Sequence, residues 1–291
     1  MGAQNWPRAA DTIVTQTANP APCLLFTTSH MQLRTVPARE GLLWVQTGFR
    51  RLMLQPWAAL LMIVAYILVT GFISALPLVG LVFPLFVVQF GTIGFMQASR
   101  QIAQKQSVWP TVLLTGFRSG PVALRNLVIL GVLYTLAVLL VLGAGALFDG
   151  GAMLRLLLLG DKPPASAIAD GSLRLGAIAA TLAYIPVSLA FWLAPPLITW
   201  HGMPPVKALF FSFVLGLRNL KAFAIYALQW LLLFLSLPTL IVLVARLLGA
   251  SETLAATLSM PVVIAIFLAY ILSFYGTYES LVGEPQASNA P

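Results

Sequence analysis

The side chains of this sequence that could perform catalysis are few and scattered. Metal binding and acid–base catalysis need histidine, aspartate or glutamate side chains in one cluster. Among 291 residues there are two histidines, His30 and His201, and eight acids. The acids are Asp11, Glu40, Asp149, Asp161, Asp170, Glu252, Glu279 and Glu284. No acid falls inside a predicted membrane span, so we predict no catalytic, cofactor or metal site and do not expect an enzyme.

Basic and amide side chains offer a different chemistry, the binding of anions. Arg125 is followed by Asn126 and Arg218 by Asn219, in both cases where an apolar segment begins. Two interpretations stand. The asparagines cap or cross-link helices while the arginines reach lipid phosphates, or the arginines converge on a cytoplasm-facing anionic pocket. We favour the structural interpretation. The candidate contacts for an anionic lipid or ligand are Arg118, Arg125, Asn126, Arg218, Asn219, Lys221 and His201.

Three further polar side chains lie in or beside apolar segments. His201 follows Trp200, and we interpret it as an anchor at the membrane interface, with ligand binding as the alternative. Gln89 and Gln229 fall well inside apolar segments. We interpret both glutamines as structural hydrogen-bond partners between helices, because such bonds are common in membrane bundles.

The elements that would position these residues are membrane-spanning helices. Hydrophobic residues make up 59% of the sequence, charged residues make up 8%, and the mean hydropathy is +0.93. A soluble domain typically carries about 25% charged residues. The net charge of +8 comes from single or paired basic residues near the ends of apolar segments. That distribution indicates orientation in a membrane rather than nucleic-acid binding.

Six apolar segments have the length needed to cross a hydrocarbon core of about 30 Å. We place them at residues 57–76, 81–98, 126–147, 178–197, 223–244 and 257–275. Sparsely basic lead-in segments precede the first, third and fifth, at residues 36–55, 107–125 and 204–221. We expect these lead-ins to form amphipathic helices at the bilayer surface. The predicted fold is all-α, a bundle of six transmembrane helices arranged as three hairpin modules, each preceded by an interfacial helix.

Short sequence matches indicate that the three modules repeat one unit. The modules cover residues 36–103, 104–201 and 202–278, between a disordered extension, residues 1–35, and a flexible tail, residues 279–291. The motif Thr-Gly-Phe-Arg at residues 47–50 recurs at 115–118, and Leu-Arg-Asn-Leu at 124–127 recurs at 217–220. Each outgoing helix also has a tyrosine in its first half, at Tyr66, Tyr134 and Tyr226.

The distribution of basic residues predicts the orientation of the bundle. Positive residues are retained in the cytoplasm. From Met31 onward, the side of the N terminus has eleven, which are Arg34, Arg39, Arg50, Arg51, Arg100, Lys105, Arg118, Arg125, Lys207, Arg218 and Lys221. The opposite side has four, which are Arg155, Lys162, Arg174 and Arg246. We therefore expect both termini on the cytoplasmic side of the membrane.

The three-module layout and the segment FWLAPPLITWHGMPPVKALFFSFVLGLRNLK, residues 191–221, resemble those of uncharacterised proteobacterial inner-membrane protein families. The layout is also similar to the membrane domain attached to some bacterial glycerophosphodiester phosphodiesterases. This resemblance covers about residues 36–278 and implies a six-helix fold in the inner membrane. It implies no reaction, because the soluble catalytic domain of those enzymes, with its metal-binding acids and histidines, is absent.

Two functions from different classes agree with these features. We favour a non-catalytic scaffold, assembly partner or envelope-associated component, because carriers usually keep ionisable residues inside the membrane and none is predicted here. The alternative is a carrier or channel for a lipid or a small anion. A carrier predicts a polar cavity inside the bundle, whereas a scaffold predicts an apolar interior. The expected partners are membrane lipids with anionic headgroups at the cytoplasmic face. Protein partners or a homo-oligomer are open alternatives, and nucleic acid is not expected.

Overall fold

The chain is mostly helical in the part that the structure, a computed structural model, describes, which is residues 34–76 and 79–283. The helices are α1 Glu40–Leu54, α2 Pro56–Ser74, α3 Val79–Ala103, a 3-10 helix Pro110–Leu114, α4 Thr115–Arg118, α5 Pro121–Asp149, α6 Ala152–Leu159, α7 Ala165–Ala169, α8 Ser172–Trp192, α9 Ala194–His201, α10 Pro205–Arg218, α11 Leu220–Leu247 and α12 Glu252–Leu281. No strand occurs in these ranges, and the all-α class is confirmed. Most of the predicted N-terminal extension and C-terminal tail lies outside the described residues.

Five helical stretches within the described ranges are long and apolar enough to cross a membrane. They are α2, α5, α8 together with α9, α11 and α12. All five coincide with predicted spans, because a run of about 20 apolar residues is specified locally and does not depend on the partner helices. The remaining predicted span, residues 81–98, lies within α3, which has 25 residues. The count of six spans stays a prediction.

Tyrosines in the outgoing helices mark which helices pack together. Tyr66 of α2 packs edge-on against an aromatic ring of α3, with centroids 5.5 Å apart. The hydroxyls of Tyr134 in α5 and Tyr184 in α8 are 3.0 Å apart. Those of Tyr226 in α11 and Ser273 in α12 are 2.6 Å apart. Helices α2, α5 and α11 therefore contact α3, α8 and α12. One end of each of these six helices lies beside α1, α4 and α10, where most of the basic residues are found. We call this end of the bundle the basic end.

Helix α1 forms as its periodicity predicts, but its buried face does not lie at the bilayer surface. Gly41 meets α11 at Ala222, and Gly48 meets α12 at Ala269, so closely that a Cβ on either glycine would overlap a backbone carbonyl oxygen. Trp44, on the same face, is buried. The predicted interfacial position is wrong for this face, because α11 and α12 cover it. Their sequences are too distant for the pattern of α1 to reveal the contact.

The second lead-in is not the continuous helix predicted over residues 107–125. Pro110 begins a 3-10 helix of five residues, and α4 adds four more before the chain breaks at Gly120. Gly120 has a φ of +90°, a conformation that favours glycine. Helix α4 still packs on the bundle, because Phe117 stacks on Phe90 of α3 at a centroid distance of 4.5 Å. The third lead-in does form a helix, α10.

Two consecutive prolines interrupt the fourth predicted span and help to dock α10. Helix α8 ends just before them, and α9 begins with both in its first turn. Proline has no N–H to donate and disrupts the helical hydrogen bonds. Ser212 of α10 bridges the break, since its Oγ accepts from Leu193 N at 3.0 Å and donates to Leu189 O at 2.7 Å. The break is therefore satisfied by a neighbouring helix.

The two ends of the described chain meet at the basic end. Helix α12 continues through Leu281, so the flexible tail predicted from residue 279 begins inside the helix. Arg34, which falls in the predicted disordered extension, donates its backbone N–H to Leu281 O at 3.1 Å. A tertiary hydrogen bond therefore holds Arg34 against the end of α12, and the boundaries of the two terminal segments stay a prediction.

Candidate functional site

Four of the predicted anion contacts are exposed basic side chains at the basic end. Arg118 ends α4, Arg125 lies near the start of α5, and Arg218 and Lys221 flank the junction of α10 and α11. The cavity that Arg118 lines includes neither Arg125 nor Arg218. The structure therefore brings Arg118 into a site with other residues and leaves the other three on the surface.

Asn219 is a structural cross-link. Its side chain is buried, and Oδ1 accepts from Val36 N at 2.8 Å. Its Nδ2 donates to Arg34 O at 3.2 Å and to Leu215 O at 2.9 Å. This one amide joins the segment before α1 to the end of α10. The structural interpretation of Asn219 is confirmed by these bonds.

Asn126 and His201 also make contacts between helices. Asn126 is buried, and its Nδ2 donates to Met203 O at 3.4 Å, which links α5 to the loop between α9 and α10. The Nε2 of His201 lies 2.7 Å from the hydroxyl of Tyr278, which links α9 to α12. Neither residue lines the cavity that contains Arg118. Both therefore support the geometry of the basic end from positions beside that cavity.

Gln89 and Gln229 do not join helices in the way the sequence suggested. The Oε1 atom of each is buried and has no hydrogen-bond partner in residues 34–76 and 79–283. The prediction that these oxygens form structural hydrogen bonds is wrong. An unpaired buried amide oxygen is uncommon in folded proteins and calls for a specific explanation.

Two acids at the opposite end of the bundle, Asp149 and Asp170, accept backbone hydrogen bonds at the starts of helices. Asp149 accepts from Gly151 N at 2.8 Å, at the start of α6. Asp170 accepts from Ser172 N at 2.8 Å, and this backbone hydrogen bond lowers the pKa of its carboxyl. Neither acid pairs with His201. Within the described ranges, no group of three or more histidine, cysteine, aspartate or glutamate residues could hold a metal ion.

A polar cavity of about 570 Å³ opens at the basic end. The end of α3, the 3-10 helix, α4 and α9 surround it. Arg100 and Arg118 are its charged lining residues, and the others are amides, hydroxyls, two tryptophans and a valine. None of the lining residues is acidic. We call this the arginine cavity, and its lining carries positive charge that no side chain within it neutralises.

Arg100 is held in place in the arginine cavity without using all of its donors. Its guanidinium carbon lies 5.5 Å from the centroid of the Trp200 ring. Its Nε is buried and has no hydrogen-bond partner among the residues described. A cation–π contact orients the guanidinium while leaving the N–H groups of its two Nη atoms, which are not buried, to bind a ligand. The sequence analysis used Arg100 only as one of the basic residues that predict the orientation in the membrane. Nothing in the local sequence indicates that the chain after α3 folds back beside Arg100.

A half-buried ion pair that the sequence analysis did not predict joins α1 to α12. The Nη2 of Arg51 lies 2.8 Å from Glu279 Oε2. Its guanidinium also lies 5.0 Å from the centroid of Tyr275, and its Nη1 donates to Leu272 O at 3.4 Å. Burial lowers the pKa of Arg51 and Glu279 raises it, but arginine stays protonated in proteins. Arg51 follows Gly48 by three residues and therefore lies on the same, buried face of α1. This spacing is the signal in the sequence that could have predicted the burial of Arg51.

The chain is similar over nearly its whole length to a bacterial membrane protein. A probable inner membrane protein of Burkholderia thailandensis is 36% identical over 266 residues, which covers 90% of this chain and 98% of the relative. The chain belongs to this family of inner-membrane proteins. No protein-family profile and no solved structure matches it. Together with the apolar helices, this kinship makes the chain a multi-pass helical protein of the bacterial inner membrane. Similarity to the membrane domain of glycerophosphodiester phosphodiesterases stays a prediction.

Proposed function

We propose that this protein binds an anionic lipid headgroup or a small phosphate-like anion in the arginine cavity and acts as a carrier for it, without chemical conversion. One observation carries the proposal, which is that Arg100 and Arg118 share a polar cavity with no acidic lining residue. The planar guanidinium matches the spacing of phosphate oxygens and forms two parallel hydrogen bonds with them. An anion would supply the negative charge that the cavity lacks.

The two arginines have complementary roles in this proposal. Arg100 is oriented by Trp200 and gives a fixed binding direction. Arg118 is exposed, so it can meet a ligand arriving from water or from the membrane surface. The amides of Gln97 and Gln101 line the same cavity and add neutral N–H donors. A phosphate with three or more oxygens can use both kinds of donor at once.

From the sequence we favoured a scaffold and kept a carrier as the alternative. These two functions require different interiors of the helix bundle. A scaffold needs only an apolar bundle, whereas a carrier needs polar, ligand-sized cavities. The arginine cavity supports the carrier. Asp149 and Asp170, near the opposite end, already accept backbone hydrogen bonds, and the proposal assigns them no catalytic part.

The topology belongs to the same proposal, with α3 as a sixth span and both termini in the cytoplasm. At 25 residues and about 1.5 Å per residue, α3 is about 37 Å long, which exceeds a hydrocarbon core of about 30 Å. The arginine cavity lies at the end where basic residues are concentrated, which supports a cytoplasmic position for it.

Contacts of the lead-ins support the threefold repeat. A buried glycine of each lead-in packs on a returning helix: Gly116 of α4 on α3, Gly216 of α10 on α8, and Gly48 of α1 on α12. Each lead-in therefore contacts the returning helix of the preceding module, and the first lead-in closes on the third module. We propose that the three modules form a closed ring in this way.

Binding by purified protein in lipid nanodiscs tests the proposed ligand. Native mass spectrometry with phosphatidylglycerol and phosphatidylethanolamine probes a lipid headgroup, and calorimetry with inorganic phosphate probes a free anion. Arg100→Gln and Arg118→Gln remove one charge each. We expect a loss of affinity of about 10- to 150-fold for the bound probe in either variant, because hydrogen bonds to charged groups contribute about 1.5–3 kcal/mol and about 1.4 kcal/mol is tenfold.

Arg125→Gln is the matched control, because Arg125 is an exposed arginine at the same end but outside the cavity. We expect its affinity to stay close to that of the unmodified protein. An equal loss in all three variants would indicate a general effect of surface charge and contradict the site. If the unmodified protein binds neither probe saturably, the anion-binding proposal is contradicted and the scaffold hypothesis is favoured.

A further inference from the structure

A second cavity lies near the middle of the bundle, between α3, α5, α8 and α12. Its volume is about 370 Å³, within the range of about 300–1,000 Å³ that is usual for small-molecule sites. Tyr134, on its wall, stands near the midpoint of α5, and Gln89 is near the midpoint of α3. The cavity is therefore about halfway between the two ends of these helices.

Aromatic side chains form most of the wall of this cavity. They include Tyr134, Tyr184 and Tyr270, after which we call it the tyrosine cavity. None of its lining residues is aspartate, glutamate, lysine, arginine or histidine. A charged ligand at this depth would lose its hydration without gaining a counter-charge, which is expensive inside a membrane. The lining therefore selects an uncharged molecule, and the rings favour one with a flat body that can stack on them.

Several polar groups of the wall already have protein partners. The hydroxyls of Tyr134 and Tyr184 pair with each other at 3.0 Å. Thr92 and Ser188 donate to backbone carbonyls of their own helices, at 2.9 and 2.8 Å. The indole N–H of Trp192 donates to a threonine of α12 at 2.9 Å. These groups shape the cavity without demanding a ligand.

Gln89 differs from these groups because one of its polar atoms is buried and unpaired. Its side chain is 4% exposed and lines the tyrosine cavity. Its Oε1 is buried and accepts no hydrogen bond from the residues the structure describes. Leaving a buried acceptor unpaired is costly. Because Gln89 lines the cavity, a turn of its amide about the terminal bond would bring Oε1 to a group that donates a hydrogen bond from inside the cavity.

We propose that the tyrosine cavity binds an uncharged ring compound whose hydroxyl or amide N–H donates a hydrogen bond to Gln89 Oε1. The ring packs against Tyr270 and the neighbouring aromatic side chains. This site is separate from the arginine cavity in position and in chemistry. The proposal does not depend on anion binding at the basic end.

Three naphthalene derivatives test the two requirements one at a time. 1-Naphthol has the ring and a donor, naphthalene has the ring alone, and 2-naphthalenesulfonate has the ring and a charge. Their binding to the purified protein in nanodiscs is measured by equilibrium dialysis, with empty nanodiscs as the blank. We expect saturable binding of 1-naphthol about tenfold tighter than naphthalene, as one hydrogen bond to a buried acceptor provides, and no saturable binding of the sulfonate.

Gln89→Leu removes the acceptor, and we expect it to lower the affinity for 1-naphthol to that for naphthalene. Gln229→Leu is the matched control, because Gln229 Oε1 is also buried and unpaired but Gln229 does not line the cavity. Tyr270→Phe gives a second variant in the wall that keeps the ring. Thermal unfolding confirms that each variant is folded, and Gln89→Leu should be no less stable than the unmodified protein, since it removes an unsatisfied amide.

A competition experiment identifies the source of the ligand. 4-Dodecylphenol stays in the bilayer, so its displacement of 1-naphthol would mean that the cavity opens to lipid. Failure to displace 1-naphthol would mean that the cavity opens to water. The proposal is overturned if the unmodified protein binds 1-naphthol and naphthalene equally, if it binds neither saturably, or if Gln89→Leu and Gln229→Leu have the same effect.

Discussion

Removing one or the other partner of the Arg51–Glu279 ion pair should have unequal consequences, because the partners differ in exposure. The Arg51 side chain is 6% exposed and the Glu279 side chain 43%. Glu279→Met strands a buried guanidinium whose remaining contacts are Leu272 O, at 3.4 Å, and the Tyr275 ring. Arg51→Met instead leaves a carboxylate that water can hydrate.

The expected magnitudes follow from that asymmetry. Glu279→Met should lower the free energy of unfolding by about 2–3 kcal/mol, toward the lower end of values for broken buried pairs because water reaches Glu279. Arg51→Met should lower it by about 1 kcal/mol, from the lost contact with the Tyr275 ring and a partly exposed ion pair. The double variant should be as stable as Arg51→Met alone, since no buried charge is left to strand.

Titration of the detergent-solubilised protein with sodium dodecyl sulfate, followed by tryptophan fluorescence, measures these free energies. The order of the two single variants is the decisive result. If Arg51→Met costs as much as Glu279→Met or more, the guanidinium stabilises the bundle by packing and not as a compensated charge. Additive losses in the double variant would likewise contradict the coupling of the pair.

Two further predictions concern packing and topology. Gly48→Ala should lower the free energy of unfolding by about 1–3 kcal/mol, because the new Cβ would overlap the backbone of α12. Gly143→Ala, with no atom within 4 Å of its Cβ position, should be neutral or stabilising by up to about 1 kcal/mol, and equal losses would refute the close approach. Reporter fusions after residue 105 and in the loop between α6 and α7 should give cytoplasmic and periplasmic signals, and the opposite assignment would overturn the proposed orientation.

The sequence predicted best those features that depend on local composition. The five candidate spans follow from apolar length alone. The prediction of a continuous helix in the second lead-in was wrong. Pro110 and Gly120 limit helix formation there more than the spacing of the apolar residues between them promotes it. Helix α1 was found by its periodicity, but its partners were not, because Gly41 and Gly48 meet backbone segments far away in the sequence. An amphipathic pattern predicts a buried face and does not state whether lipid or protein covers it.

The candidate site was harder to predict, because the local signal for a ligand and for a structural bond is the same. Asn219 and Arg118 were both proposed as anion contacts from their place at the membrane boundary. The structure gives Asn219 three hydrogen bonds to protein atoms and gives Arg118 a position in a cavity. Gln89 shows the opposite error, since an amide expected to bond another helix has an unpaired oxygen. Only the three-dimensional partners distinguish these cases.

The two proposed sites share helix α3, and their depths account for their different chemistry. Gln89 and Arg100 are separated by about three turns, so they lie on the same face of α3 and about 16 Å apart along it. A charged side chain is tolerated in the last turn, where water and headgroups solvate it, whereas at the middle of the bundle an uncharged amide provides polarity at a lower desolvation cost. That distance also keeps the two tests independent. Gln89→Leu leaves both arginines of the basic end in place, and Arg100→Gln leaves the amide, so failure of one proposal does not imply failure of the other.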